Sequence, residues 1–253
     1  MNVVILAAGQ GRRLSPYTDA CPKCLLPLGE STFIQFQIAL LRRMRLDSIA
    51  VITGFRAERV REVCGESVVY FHNAEYDTTN SLHSFMQAGD FARGGCLVLN
   101  SDVVLHPDLL EVLLNFSRPN ALLVDFESAL GEEEMKVVCD ADGRVRRISK
   151  DIPPREAHGE NLGVIRMGAE AAQAVLEEAR AAAAAGARNL WVPQGVARTL
   201  DRVPFHAVAI NGRPWIEVDY LYDLERARGE IYPLCRLDGL RNNERQDRKR
   251  NAV

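Results

Sequence analysis

The run Val3-Val4-Ile5-Leu6-Ala7-Ala8-Gly9-Gln10-Gly11 constrains this chain more than any other stretch. Four apolar residues, three of them β-branched, suit a strand buried on both faces, and such strands belong to sheets covered by helices on each side. Gly9 and Gly11 then end the strand. Glycines at that place let the backbone approach a polyphosphate, and turn amides can point at its oxygens. Arg13 and Lys23 would offset phosphate charge. Two familiar glycine loops do not fit, because Leu14 takes the third glycine position of a dinucleotide fingerprint and no Gly-Lys-Ser/Thr follows. Taken alone, a glycine turn after a strand is structural more often than it is a binding loop.

The same alternation continues downstream. Thr32 caps a helical stretch containing Phe33, Phe36, Ala39, Leu40 and Met44, with strands expected at Ile49 to Thr53 and Val68 to Phe71 and a helix between them at Ala57 to Cys64. Asn80 or Ser81 caps a helix through Ala88. Cys96 to Leu99 reads as a further buried strand, and Pro107 suits the first turn of a helix. These repeats predict an α/β fold with a doubly wound, mostly parallel sheet, which binds ligands at the carboxyl ends of its strands.

The second half changes character. Met135 to Cys139 and Arg144 to Ile148 flank an Asp142-Gly143 hairpin signal, Leu162 to Arg166 offers a strand, and Gly168 to Arg188 an alanine-rich helix. Phe205 to Ile210 and Trp215 to Val218 around Asn211-Gly212 predict a final hairpin, followed by a helix at Leu221 to Arg228. The expected organisation is one body over 1-232, with a small hairpin-containing lobe at roughly 127-215 and a charged tail at 233-253.

At 47% hydrophobic and 26% charged residues the composition is that of a globular protein, and a net charge of -3 with scattered Arg and Lys gives no nucleic-acid stripe. The basic residues concentrate from Arg241 to Val253, where almost nothing apolar is available for packing, so a frayed end is expected. No apolar run approaches the roughly 20 residues of a membrane span and the start lacks a basic n-region, so the expectation is a cytoplasmic protein without a membrane partner. Of the six cysteines only Cys21 and Cys24 form a CxxC, which without a second pair or a nearby histidine does not complete a tetrahedral zinc site.

Further residues are candidates with two readings each. Asp102 follows the buried run Cys96 to Leu99, and Asp219 closes Trp215-Ile216-Glu217-Val218. A carboxylate at a strand's end suits a magnesium ion carrying phosphate oxygens, and it equally suits a helix cap. Lys136 and Lys150 are either solvated surface lysines or phosphate contacts. Alternation puts Trp215, Glu217 and Asp219 on one side of a strand, where they offer a cationic head group an aromatic face and acidic groups, or else Trp215 packs into the core.

The whole run from Leu6 to Leu28 resembles the signature LAAGxGxRLxPxTxxxPKxLxxL of the sugar-phosphate nucleotidyltransferase superfamily, with every fixed position met. The segment Trp215 to Arg228 resembles the closing W-I-E-I-D-x-x-x-D-L-E-x-A of that superfamily. Narrower likeness in Asn73 through Ser84, Glu134-Met135-Lys136, Gly159 to Gly163 around Glu160, and Trp215 to Asp219 points to the bacterial choline-phosphate cytidylyltransferase branch and its relatives acting on phosphonates or inositol phosphate. Between Arg188 and Val203 no match to the aromatic-acidic segment of that branch is found.

The resemblance implies a Rossmann-like nucleotidyltransferase fold, with Leu6, Ala7, Ala8, Gly9, Gly11, Arg13 and Lys23 around the triphosphate and Asn80 and Ser81 beside the base. It implies Mg2+ on Asp102 and Asp219, and an acceptor site including Lys136, Lys150, Glu160, Trp215 and Glu217. The implied reaction moves CMP from CTP to a small phosphomonoester or phosphonate and releases pyrophosphate, with Arg13, Lys23 and Lys150 as its basic groups. Two alternatives stay open: a sugar-1-phosphate enzyme using UTP, dTTP or GTP, and an inactive nucleotide-binding regulatory module. Assembly is open as well, a homodimer included.

Overall fold

The computed structural model describes residues 1–236. The first half contains the strands β1 (Asn2–Ala7), β2 (Pro27–Leu28), β3 (Ser31–Thr32), β4 (Ile49–Thr53), β5 (Val69–His72), β6 (Cys96–Asn100), β7 (Val103–Leu105) and β8 (Ala121–Asp125). Its helices are α1 (Phe33–Arg43), α2 (Ala57–Cys64), α3 (Ser81–Met86), α4 (Gly89–Ala92) and α5 (Pro107–Asn115). The second half adds β9 (Lys136–Cys139), β10 (Val145–Ser149), β11 (Gly159–Met167), α6 (Ala169–Ala184), α7 (Val192–Ala197), β12 (His206–Ala209), β13 (Trp215–Glu217), α8 (Leu221–Arg226) and α9 (Tyr232–Cys235).

Among the described residues nine strands form one sheet in the order β10-β9-β11-β6-β1-β4-β5, with β8 also beside β11 and β12 beside β8. β1, β4, β5 and β6 are mutually parallel, and β11 runs against β6. β8, β9 and β12 point the same way as β1, leaving only β10 and β11 reversed. The sheet is therefore mostly parallel, as the alternation of strand and helix predicts.

Both faces are covered because the apolar run of β1 has period-two partners on each side. Val3, Ile5 and Ala7 enter one core with Phe33, Leu40 and Leu109, while Val4 and Leu6 enter the other with Phe85, Ala172 and Val175. Helix α1 starts where expected, with the Thr32 hydroxyl accepting from the Gln35 amide and the Gln35 side chain accepting from the Thr32 amide.

Three expectations need correction. Asn211 and Gly212 do turn, with φ of 50° and 69°, but the flanking strands do not pair as a hairpin. β12 joins β8 in the large sheet, and β13 pairs antiparallel with β7 in a separate two-stranded sheet. Pro214 intervenes, has no amide to donate, and gives its carbonyl to the His106 amide instead. The stretch 127-215 is not a separate lobe, since β9 to β12 extend the same sheet. The packed body also runs beyond residue 232, because α9 is helical through Cys235, whose side chain is fully buried. The basic run from Arg241 lies outside the described residues.

Candidate active site

β1 ends at the carboxyl edge of the parallel strands, and its glycine loop opens from there. Gly11 has φ of 76°, and a Cβ on it would lie 2.8 Å from the Cβ of Lys23, so the loop closes directly on the lysine stem. The Thr18 hydroxyl donates to the Gly11 carbonyl at 2.8 Å, and Leu14 is fully buried beneath the turn. Leu6, Ala8, Gly9 and Gly11 line a cleft of about 1100 Å³, whereas Ala7 belongs to the core.

Two carboxylates meet in this cleft through strand register. β13 runs antiparallel to β7 with Glu217 opposite Val103, and the Val218 amide donates to the Asp102 carbonyl at 3.1 Å. Asp102, just before β7, and Asp219, just after β13, are thereby drawn together. Lys23 Nζ bridges them at 2.6 Å to Asp102 Oδ2 and 2.9 Å to Asp219 Oδ1. Burial works against the ammonium charge, but Asp102 and Asp219 outweigh it and raise the Lys23 pKa. Burial likewise opposes ionisation of Asp219, yet Lys23 and then Arg13 hold its carboxyl below the usual range.

Asp102 Oδ1 is buried and has no hydrogen-bond partner. Helix α8 fixes the other side, its Asp223 carboxylate accepting from the Asp219 and Tyr220 amides at 3.0 and 2.8 Å. Among the described residues no group of three or more His, Cys, Asp or Glu side chains has the spacing of a metal site. Two aspartates with one unsatisfied oxygen nevertheless fit magnesium, which keeps waters and takes phosphate oxygens beside one or two protein carboxylates.

Two further cations, Arg13 and Lys150, lie close enough to act on Asp219. Arg13 reaches Asp219 at 3.4 Å and Glu133 at 3.3 Å, and lies 5.3 Å from the centre of the Tyr220 ring. Lys150 lies 3.7 Å from the same Glu133 oxygen and 5.2 Å from the Trp191 ring centre. Glu217 is pushed up to about 8, chiefly by burial and then by Asp102 and Asp219, while Asn100 Nδ2 donates to it at 3.0 Å.

Farther along, Trp215 lines the cleft and its indole N–H donates to Asp125 at 2.8 Å. Glu160 lies opposite Asp125 across β11 and β8 and is pushed up to about 7 by burial first and then by Glu134. Asn80 and Ser81 also line the cleft, but their side chains have protein partners. Asn80 Oδ1 accepts from the Ser81 amide and its Nδ2 donates to Asn189, while the Ser81 hydroxyl accepts from the Val192 amide.

Lys136 is the sequence candidate that the structure removes from the cleft. Its side chain is fully buried, and Nζ donates to the carbonyls of Gly131, Glu132 and Glu134 at 3.0 to 3.2 Å. A buried ammonium must satisfy all three donors, and this one does so by folding the acidic loop around itself. Cys24 is buried too, and burial drives its thiol pKa upward, so the CxxC presents no reactive thiolate there.

Tyr76, Glu133, Trp191, Tyr220 and Tyr222 line the cleft without having been singled out from sequence. Tyr220 and Tyr222 lie within the Trp215 to Arg228 segment and Tyr76 within Asn73 through Ser84, so their neighbourhoods were marked, whereas Trp191 falls between Arg188 and Val203, where no likeness was found.

A glycine loop, three basic side chains and paired aspartates at the carboxyl edge of one sheet define a nucleotide-handling α/β fold of the nucleotidyltransferase type. The MobA-like NTP transferase domain matches residues 3–139, more than half of the chain, and the chain belongs to that family. It is 31% identical over 133 residues to CTP:phosphoglutamine cytidylyltransferase of Campylobacter jejuni, covering 49% of this chain and 53% of the relative. It is 32% identical over 110 residues to choline-phosphate cytidylyltransferase of Haemophilus influenzae, covering 43% and 47%. The chain thus spans about half the length of these curated relatives. The fold matches that of CTP:phosphocholine cytidylyltransferase from Streptococcus pneumoniae with a TM-score of 0.72 at 21% identity, covering 90% of this chain and 97% of that one.

Proposed function

We propose that the protein transfers CMP from CTP to a small phosphorylated acceptor, a phosphomonoester or phosphonate with a cationic end, and releases pyrophosphate. The observation that carries this reading is the bridge from Lys23 to both Asp102 and Asp219 beneath the Gly9–Gly11 loop. The preference for CTP over UTP, dTTP or GTP draws on the cytidylyltransferase relatives.

In the proposed reaction an acceptor phosphate or phosphonate oxygen attacks the α-phosphorus of CTP. One P–O bond forms, the bond from the α-phosphorus to the bridging oxygen breaks, and the electron pair leaves with pyrophosphate. The nucleophile is already anionic, so no general base is required and the protein supplies position and charge. Lys23 stays protonated between two carboxylates, which makes it a fixed cation rather than an acid. Arg13 and Lys150 flank the path and neutralise the triphosphate and the acceptor phosphate. Asp102 and Asp219 would hold Mg2+, which supplies Lewis-acid neutralisation of phosphate oxygens.

Trp215 and Glu134 in the lining support an acceptor whose far end is positive, and such a charge would also favour ionisation of Glu160 and Glu217, whose carboxyls burial holds toward the neutral form. A screen of CTP, UTP, dTTP and GTP against phosphocholine, 2-aminoethylphosphonate, inositol phosphate and glucose-1-phosphate, reading pyrophosphate and product mass, tests the proposal. CTP with one of the first two is the expected pair. A higher kcat/KM for UTP or dTTP with glucose-1-phosphate would replace it with a sugar-nucleotide enzyme, and release with no pair would favour a binding module.

A further inference from the structure

Lys150 does not hold its place in the cleft alone. Its ammonium lies 5.2 Å from the centre of the Trp191 ring, on the side chain immediately before α7. Trp191 is itself fixed from the nucleotide side of the cleft. The Leu82 amide donates to the Leu190 carbonyl at 2.9 Å, the Val192 amide donates to the Ser81 hydroxyl at 3.0 Å, and the Trp191 amide donates to the Gln194 side chain at 3.0 Å. The segment carrying the ring is thus fastened to the same Asn80–Ser81 turn that opens α3.

We infer that Trp191 is a positioning residue: its ring holds the Lys150 ammonium toward the acceptor phosphate, and its backbone ties that lysine to the turn beside the nucleotide base. The inference rests on the proposed reaction for the identity of the phosphate, but not for the stack. A lysine on a flexible four-carbon stem loses side-chain entropy when it is fixed. A ring face beneath the ammonium offsets part of that cost through the aromatic quadrupole. The ring reads the chain's own cation here, not the acceptor's.

Two measurements test this. In a Trp215→Phe background Trp191 is the only tryptophan, so Lys150→Met is expected to shift its fluorescence emission, and an unchanged spectrum overturns the stack whatever the protein catalyses. In kinetics with CTP and phosphocholine or 2-aminoethylphosphonate, Trp191→Leu is expected to raise the acceptor KM about tenfold. The CTP KM should move less than threefold, and Trp191→Phe should recover most of the loss. Against Lys150→Met the leucine substitution should add little, because the two act as one unit. An equally large loss in both backgrounds would mean that the ring acts without Lys150, and the inference fails.

Discussion

Glu133 holds an anion against two cations that the proposed reaction assigns to phosphates. Its Oε2 is 3.3 Å from Arg13 and 3.7 Å from Lys150, and the side chain is largely exposed. A carboxylate in that position competes with an incoming phosphate for the same charge. Glu133→Gln is therefore expected to lower the KM for CTP by about two- to fivefold, as loss of a weak exposed ion pair allows, measured by pyrophosphate release at fixed acceptor. A KM that rises would show that Glu133 assists binding. Glu160 gives a pH signature. Its carboxyl moves from 4.5 to about 7, so between those values the folded chain keeps a proton that the unfolded chain has released. Stability then falls as pH rises across that window, by on the order of 2 kcal/mol, and Glu160→Gln should flatten the profile. Urea unfolding at pH 5 and pH 8 checks it: the variant's slope should be shallower but not zero, because Glu217, pushed up to about 8, adds a dependence of the same sign, and an unchanged slope would assign the dependence elsewhere.

At the scale of elements, the glycine loop depends on close packing against Lys23. Gly11→Ala places a Cβ at φ of 76° and 2.8 Å from the Lys23 Cβ, whereas Gly94 has nothing within 4 Å of the same added atom. The first substitution is expected to cost about 1–2 kcal/mol and most of kcat/KM, while Gly94→Ala stays near neutral in activity. Equal activity in the two variants would mean that the loop conformation is not needed. Those elements whose identity sits in local residues were legible in advance: β1, the Thr32 cap, the turn at Asp142-Gly143 and the helix after Asp219. β8, an apolar run as long as β4 and β6, was not singled out, while β7 was missed because it is only three residues long and its partner β13 lies far along the chain. The false hairpin at Asn211-Gly212 shows the same limit, because a turn signal fixes the reversal and not which strand the next segment pairs with. The resemblance placed Lys150 among the reacting groups and Lys136 only in the acceptor site. That Lys136, at the start of β9, turns inward onto three carbonyls while Lys150, just beyond β10, stays in the cleft is decided by folding.

At the scale of the whole molecule, the site is assembled where segments distant in sequence meet at one edge of the sheet. The loop after β1 brings Lys23, the end of β6 brings Asp102, and the end of β13 brings Asp219. The side-chain types were readable from the sequence, but their meeting depends on the β7–β13 register, which joins segments more than one hundred residues apart. The central claim is that this meeting point runs a magnesium-dependent cytidylyl transfer. The most direct measurement is pyrophosphate release from CTP and phosphocholine or 2-aminoethylphosphonate at saturating magnesium, for the unaltered chain, Asp102→Asn and Asp219→Asn. The account predicts transfer by the unaltered chain, abolished by chelator, and a loss of at least about a hundredfold in each variant with circular dichroism unchanged. Near-normal turnover in either folded variant would contradict it.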